Sequence, residues 1–180
     1  MISVLSSPNF CFDNVTDVDI DFLEWNGIKA VLLDIDNTLT QHNGTEPYDG
    51  VREWVDFIKS AGLKAAIISN AKDEHRVRLF AEKLGIDNYI WDAKKPFPKG
   101  FCQLTKDLGV NKSEVLVIGD QLFTDILGAN LAGLAVSTAL VKAKDKKEPI
   151  IIKIKRILEI PIKSLNWCRM RHPYFYRNRK

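Results

Sequence analysis

The sequence predicts an α/β protein built on a doubly wound parallel sheet with helices on both faces. From residue 29 onward, apolar strand-like runs alternate with segments of helical periodicity, which is typical of a parallel sheet covered on two sides. Glycines follow the helical segments and mark their ends. With 180 residues, 46% of them hydrophobic, the chain can bury one sizeable core and is too short for two large domains.

Five apolar runs predict the strands of this sheet. They span residues 30–33, 63–68, 89–91, 115–118 and 134–141. Apolar residues at helical spacing between and after them predict four helices, which end before Gly62, Gly85, Gly109 and Gly133. Right-handed crossovers then give a three-layer open sheet, whose ligand sites lie beyond the carboxyl ends of the strands.

We divide the chain into three parts. Residues 1–28 form an irregular lead-in, expected to pack on the body through its apolar residues Val18, Ile20, Phe22, Leu23 and Trp25. Residues 29–141 form the body, which is the predicted α/β domain, and residues 142–180 form a tail. Apolar residues from 150 to 158 share one helical face until Pro161, so the tail is expected to contain a basic amphipathic helix.

Charge is unevenly distributed along the chain. Residues 1–141 contain 13 Lys and Arg against 20 Asp and Glu, a net charge of −7, whereas residues 142–180 contain 13 against 3, a net charge of +10. Such a tail is typical of contact with anionic lipid or nucleic acid, and a solvated tail is the alternative. Neither a membrane-spanning run nor a signal peptide is evident, so we expect a cytoplasmic protein with a peripheral contact at the inner face of the membrane.

Two aspartates stand at the exit of the first strand of the body. Asp34 and Asp36 follow the apolar run 30–33, and because side chains alternate along a strand, both carboxylates are expected on the same side. Two like charges this close cannot both stay ionised unless a cation lies between them or one keeps a proton. The pair therefore suits phosphoryl chemistry, with a metal to neutralise it or with one nucleophile and one proton donor.

Polar residues also follow the next two strands. Ser69 and Asn70 end the second strand, where a hydroxyl and nearby N–H groups can donate to a phosphate oxygen. After the third strand, a lysine can stabilise the charge of the transferred group, and Lys94, Lys95 and Lys99 are the candidates.

Two more aspartates follow the fourth strand. Asp120 can complete an oxygen-rich Mg²⁺ site with Asp34 and the backbone around Asp36. Asp125 either supports that site or caps the helix that begins nearby.

These clusters resemble, in order, the four motifs of the haloacid dehalogenase superfamily of aspartate-nucleophile phosphatases. The matching residues are Asp34-x-Asp36-x-Thr38, Ser69, Lys95, and Gly119-Asp120 with Asp125 after four intervening residues. The closer resemblance is to the YqeG-like branch, the class IIIA phosphatases. It is carried by the segments 5–8, 27–29, 34–39 and 119–125 and by the pair Lys95-Pro96. Ala71 departs from that branch, which often has a second asparagine at this position. The resemblance therefore does not define the outer part of the phosphate pocket.

The resemblance implies a role for each motif residue. Asp34 would attack phosphorus, and Asp36 would protonate the leaving oxygen before activating water against the aspartyl-phosphate. Ser69, Asn70 and Lys95 would hold the phosphate. The implied Mg²⁺ site comprises Asp34, Asp36, Asp120 and Asp125.

The spacing of the motifs leaves no room for a large cap domain. Only 35 positions separate Asp34 from Ser69, and 26 separate Ser69 from Lys95, and a helix and a strand use most of each interval. An open site suits a phosphate on a large carrier, such as a lipid headgroup, a protein or a nucleic acid, or a site closed by another subunit.

Three functional hypotheses follow. Relatives of the YqeG-like branch, which this sequence resembles, dephosphorylate phosphatidylglycerophosphate, so the resemblance implies this lipid as the leading substrate. The basic tail would then make a peripheral contact with an anionic membrane. The first alternative is a phosphatase of soluble sugar or nucleotide monophosphates. The second is an RNA- or ribosome-binding module that keeps the fold as a scaffold.

Overall fold

Six parallel strands form a single sheet in the computed structural model, which describes residues 8–134, 138–141, 157 and 159. The strands are β1 (Phe10–Phe12), β2 (Ala30–Leu33), β3 (Lys64–Ile68), β4 (Asn88–Ile90), β5 (Val115–Gly119) and β6 (Thr138–Val141). Their spatial order is β1-β6-β5-β2-β3-β4. The predicted doubly wound parallel sheet is therefore confirmed, and its order reverses between β2 and β5.

The two central strands are buried along their whole length. Every residue of β2 and of β5 is buried, as expected for near-continuous apolar strands covered on both faces. Leu33 at the end of β2 lies opposite Ile67 of β3 and Ile118 of β5. This register brings the residues that follow these three strands to the same edge of the sheet.

Helices cover both faces of the sheet. They are α1 (Ile20–Trp25), α2 (Val51–Ser60), α3 (Glu74–Lys83), α4 (Lys99–Asp107) and α5 (Leu127–Leu131), which continues a π-helical segment, Leu122–Ile126. Val31 and Leu33 pack in one core with α1, α2 and α3, whereas Ala30 and Leu32 pack in the other with α4 and α5. No large cap domain interrupts the described residues.

The amino-terminal lead-in is more regular than expected. It contributes β1, which pairs with β6, and the short helix α1. Phe22 and Leu23 of α1 are fully buried, but the expected packing of Trp25 is wrong, because 70% of this residue is exposed. Trp25 lies two residues after Leu23, about 200° further around the helix, and so points away from the core.

The carboxyl-terminal tail is described at two positions. Ile157 is helical and 62% exposed, while Glu159 is helical and fully buried. The rest of the amphipathic helix predicted from 150 to 158 lies outside the described residues. Within the described part of the chain, no helix combines the length and apolarity needed to cross a bilayer.

Candidate active site

Four loops at the carboxyl edge of the sheet bring the predicted residues together. Asp34 follows β2, Ser69 follows β3, Lys95 follows β4, and Asp120 follows β5. The N–H of Asp34 donates to the carbonyl of Ile118 (3.0 Å), which ties the start of the first loop to β5. The site therefore lies where the strand order reverses, as expected for ligand sites of open parallel sheets.

Lys95 joins two of the aspartates. Its Nζ donates to Asp34 Oδ1 (2.5 Å), to Asp125 Oδ1 (2.6 Å) and to the carbonyl oxygen of Ile68 (2.9 Å). The hydroxyl of Thr38 donates to the other oxygen of Asp34 (3.3 Å). Because Lys95, Asp34 and Asp125 are all buried, these contacts form in a low-dielectric setting where they are strong.

Three carboxylates form a compact acidic cluster. One oxygen from each of Asp34, Asp120 and Asp125 lies within 4.8 Å of the others, and all three residues are buried. If all three are ionised, Lys95 compensates one charge and two negative charges remain. A hard divalent cation would balance them, and an oxygen-only donor set is what such a cation prefers. The cluster therefore fits the predicted metal site.

The pKa values of this cluster show the same imbalance. Burial, with the nearby charges of Asp125 and Asp120, raises the pKa of Asp34 well above its usual value, although Lys95 opposes the shift. Burial would by itself lower the pKa of Lys95, but Asp125 and Asp34 together raise it. Lys95 thus stays charged, and a cation bound beside Asp34 would favour the ionised form of its carboxyl group.

Asp125 can approach Lys95 because Gly119 has no side chain. A Cβ at Gly119 would lie 2.3 Å from Asp125 Cγ. Asp125 lies inside the π-helical segment, and its Oδ2 accepts from the N–H of Gln121 (3.2 Å). The sequence left two roles open for Asp125, a helix cap or a site residue. The structure shows contacts of both kinds, because Asp125 holds the local backbone and also contacts Lys95.

Asp36 lies beside the cluster in a different environment. Arg76 Nη2 donates to Asp36 Oδ2 (2.6 Å), and the N–H of Asn43 donates to Oδ1 (2.7 Å). Its carboxylate is not part of the acidic cluster, so any contribution of this residue to a metal site would come from its backbone. The two donors fix the orientation of the Asp36 side chain.

The two residues after β3 have different surroundings. Ser69 is buried and its Oγ accepts from the N–H of Ala71 (3.1 Å), which leaves the hydroxyl proton for a phosphate oxygen. Asn70 binds the backbone of Lys95 twice: its Oδ1 accepts from the N–H (2.7 Å), and its Nδ2 donates to the carbonyl (3.2 Å). In this structure Asn70 therefore holds the backbone of Lys95, and the phosphate-binding role that the resemblance implies for it stays a prediction.

The geometry distinguishes the three candidate lysines. Lys94 is largely exposed and pairs with Asp92 (2.7 Å), and Lys99 is exposed at the start of α4. Lys95, with 2% of its side chain exposed, is the one that contacts Asp34.

Sequence reasoning missed two residues near the site. Arg76 lies in α3 among several charged residues, where a charge is more often solvated than functional. Glu159 lies in the basic tail, yet the N–H of Leu122, two residues after Asp120, donates to its Oε1 (2.8 Å). Neither residue carries a motif signal, because both act over long sequence separation.

Comparison with known proteins identifies a family. The model of the haloacid dehalogenase-like hydrolases matches residues 43–133, a match that begins after Asp34 and Asp36. The chain is 33% identical to the probable phosphatase YqeG of Bacillus subtilis, over 91% of this chain and 93% of that protein. The roles of Asp34 and Asp36 therefore stay predictions, which rest on the motif resemblance and on the geometry of the site.

Two further relatives act on a lipid according to their names. The mitochondrial phosphatidylglycerophosphatase of Saccharomyces cerevisiae is 32% identical, over 73% of this chain and 79% of its own length. The chloroplastic and mitochondrial phosphatidylglycerophosphate phosphatase of Arabidopsis thaliana is 27% identical, over 92% of this chain. The chain spans about half of that plant protein, 51% of its length.

The fold is shared with solved phosphatase structures. The 3-deoxy-D-manno-octulosonate 8-phosphate phosphatase of Moraxella catarrhalis, solved with magnesium and phosphate, superposes with a TM-score of 0.51 and 19% identity. The alignment covers 79% of this chain and 92% of that one. At this identity the likeness supports the fold alone.

Proposed function

Because this chain belongs to the haloacid dehalogenase-like hydrolases, in the YqeG-like branch, and is a phosphomonoester hydrolase, we propose that it removes the terminal phosphate of phosphatidylglycerophosphate in phospholipid biosynthesis. The observation that carries the proposed mechanism is the contact of Lys95 Nζ with Asp34 Oδ1 (2.5 Å) inside a buried acidic cluster. In the proposed mechanism, Asp34 is the nucleophile and Lys95 supplies the positive charge that a transferring phosphoryl group requires.

In the proposed first step, a carboxylate oxygen of Asp34 forms a bond to phosphorus. The bond between phosphorus and the leaving oxygen breaks, and Asp36 gives that oxygen a proton. Lys95 and the hydroxyl of Ser69 stabilise the charge on the phosphoryl oxygens. The products of this step are the free alcohol and an aspartyl-phosphate at Asp34.

In the proposed second step, water hydrolyses the aspartyl-phosphate. Asp36 takes a proton from the water as its oxygen bonds to phosphorus, and the bond to Asp34 breaks. Inorganic phosphate leaves, and the Asp34 carboxylate is restored. Arg76 and the N–H of Asn43 hold Asp36 in a fixed orientation for this exchange.

We infer that Mg²⁺ is the cation of the acidic cluster. Asp34, Asp120 and Asp125 would hold it together with the backbone at residue 36, and it would supply positive charge that offsets the phosphate. Support comes from the all-oxygen donor set and from the uncompensated charge of the cluster.

Three observations support the lipid substrate. Two relatives, 27% and 32% identical to this chain, are named as phosphatidylglycerophosphate phosphatases. The described residues contain no large cap domain, and a site without a cap suits a headgroup that stays in a bilayer. A net charge of +10 in residues 142–180 would add attraction to an anionic inner membrane surface.

A phosphate-release assay tests the proposal. Purified protein with Mg²⁺ would be offered phosphatidylglycerophosphate in mixed vesicles, and soluble glycerol, sugar and nucleotide monophosphates in parallel. We expect turnover of the lipid above that of the soluble esters, and loss of turnover in Asp34→Asn. Asp49→Asn, at an exposed position, is the matched control and should keep full activity.

The other outcomes separate the remaining hypotheses. Comparable turnover of several soluble esters, with the lipid no better, would replace the lipid by a soluble substrate. Absence of phosphate release with any ester, together with RNA binding unaffected by Asp34→Asn, would indicate a binding module and overturn the enzymatic proposal.

The contribution of the basic tail is best tested by charge, without deletion. Deletion from residue 142 would also remove Glu159, which contacts Leu122 near the site. Replacing Lys and Arg residues of 142–156 by Gln keeps that contact. We expect this variant to lose binding to anionic vesicles while its turnover of a soluble ester is unchanged. Unchanged vesicle binding would contradict a membrane role for this segment.

A further inference from the structure

Glu159, in the tail formed by residues 142–180, contacts the loop that carries two aspartates of the site. Its side chain is fully buried, and its Oε1 accepts from the N–H of Leu122 at 2.8 Å. Leu122 lies between Asp120 and Asp125 in sequence. Glu159, a residue of the tail, therefore holds the turn that connects these two aspartates.

Leu122 also begins a helical segment that lacks a local cap. The π-helical residues Leu122–Ile126 continue directly into α5, and the side chain of Gln121, at the N-cap position, makes no capping hydrogen bond. The first N–H groups of a helix have no partner inside the helix. Glu159 supplies an acceptor for the first of them, and a carboxylate is also favoured at this end by the helix dipole.

The orientation of this turn determines where the carboxylates point. Asp125 lies three residues after Leu122. Its side chain is held in one orientation, because it accepts from Lys95 Nζ and from the N–H of Gln121. Asp120 lies two residues before Leu122, and its carboxylate lies within 4.8 Å of those of Asp34 and Asp125. A shift of the Leu122 backbone would therefore move both ligand candidates relative to Asp34.

We propose that Glu159 is a positioning residue for the cation site, acting through the N–H of Leu122 on Asp120 and Asp125. This proposal rests on the proposed function only in assuming that the acidic cluster binds Mg²⁺. It implies that part of the tail packs on the catalytic body and supports the metal site indirectly, through Leu122.

The test measures Mg²⁺ affinity by calorimetry on the full-length protein, without substrate. Glu159→Ala should weaken Mg²⁺ binding about 10-fold, the lower end of the effect seen when outer partners of metal ligands are removed. Glu159→Gln keeps an acceptor oxygen of similar reach and should bind Mg²⁺ more tightly than the Ala variant. In turnover assays, the Mg²⁺ concentration for half-maximal rate should rise in Glu159→Ala, while KM for substrate changes little.

A matched control separates positioning from general stability. Asp19, which is not part of the acidic cluster, caps α1 by accepting from the N–H of Phe22 at 2.7 Å. Asp19→Ala removes the same kind of bond and should lower the melting temperature without changing Mg²⁺ affinity. If Glu159→Ala does not fold, Glu159→Asp, which withdraws the carboxylate by one methylene, replaces it and should show the same loss of affinity in smaller measure.

The outcomes distinguish this proposal from the proposed function. Unchanged Mg²⁺ affinity in the Glu159 variants, with wild-type protein that binds Mg²⁺ and releases phosphate, would overturn the role of Glu159 alone. Wild-type protein that binds no Mg²⁺ would overturn both the positioning role and the metal assignment. Wild-type protein that binds Mg²⁺ but releases phosphate from no ester would sink the proposed function while the affinity comparison still decides the role of Glu159.

Discussion

The guanidinium of Arg76 donates to Asp36 through one nitrogen (2.6 Å) and to the carbonyl of Gly44 through the other (2.8 Å). Arg76 belongs to α3, whereas Asp36 and Gly44 belong to the loop that follows β2. Only 10% of the Arg76 side chain is exposed. This contact therefore fastens the loop of the first aspartates to a helix of the body and fixes the Asp36 side chain.

Replacing Arg76 should impair chemistry more than substrate binding. Without its donors Asp36 loses its fixed orientation, and because misplaced catalytic groups cost up to about 100-fold in rate, we expect Arg76→Ala to lower kcat by about 10- to 100-fold. Steady-state kinetics would measure it. Arg78→Ala, on the same helix in an exposed pair with Glu82, is the control. A fall in kcat no larger than that of the control would contradict the role of Arg76.

Substitutions of Lys95 and of its neighbour Lys94 should differ sharply in their effects on stability and on turnover. Lys95→Ala leaves Asp34 and Asp125 buried without their cation, which typically costs about 3–5 kcal/mol of stability, and should abolish turnover. Lys94→Ala removes an exposed ion pair with Asp92, worth about 0–1 kcal/mol, and should leave both properties nearly unchanged. Denaturant unfolding and phosphate release measure the two effects. Similar losses of stability and of turnover in both variants would contradict the assignment of Lys95 as the lysine of the active site.

The raised pKa of Asp34 predicts a pH effect on stability in metal-free buffer. Burial and the neighbouring carboxylates let folded Asp34 keep its proton where the unfolded carboxyl has lost it. The folded state then binds more protons, so this contribution to stability falls as pH rises through the folded-state pKa.

Thermal unfolding in a chelator would reveal this effect. Relative to the wild type, Asp34→Asn should gain stability as pH rises from about 4, near the ordinary Asp pKa, because the variant has no proton to lose. Added Mg²⁺ should stabilise the wild type and shrink the difference. A stability difference that is independent of pH would argue against a raised pKa at Asp34.

Gly119 should tolerate no side chain. A Cβ there would meet the Asp125 carboxyl group at 2.3–2.6 Å, so Gly119→Ala must displace Asp125 from Lys95. We expect a loss of about 1–3 kcal/mol in stability, as for overpacking, together with reduced turnover. Gly100→Ala is the control, because its nearest neighbour is the flexible end of Ile68 at 3.3 Å. Retained activity in Gly119→Ala, measured with soluble and lipid substrates, would show that Asp125 can be displaced without consequence.

Much of this site could be predicted because it follows local rules. Each motif residue comes directly after an apolar run, and parallel strands bring such residues to one edge. The contacts of Arg76 with Asp36 and of Glu159 with Leu122 could not be predicted in this way, because they join distant segments and depend on side-chain geometry. Asn70 illustrates the same limit, since its amide binds the Lys95 backbone 25 residues further on.

The fold shows a similar division. Strands β2, β3 and β5 could be predicted because they are nearly continuous apolar runs, buried on both faces. Strand β1 was missed, since three residues at the edge of a sheet carry little pattern of their own. Its position depends on pairing with β6, which no local signal near Phe10 reveals.

That pairing has a consequence for how the protein is made. Phe10 lies opposite Ala139 in the sheet, so β1 leaves the ribosome well before the strand with which it pairs. Contacts of such long sequence separation slow folding, because a large loop has to close before they form. During translation the half of the sheet around β2, β3 and β4 can assemble first, and the apolar side chains of β1 stay without their final partner until β6 emerges.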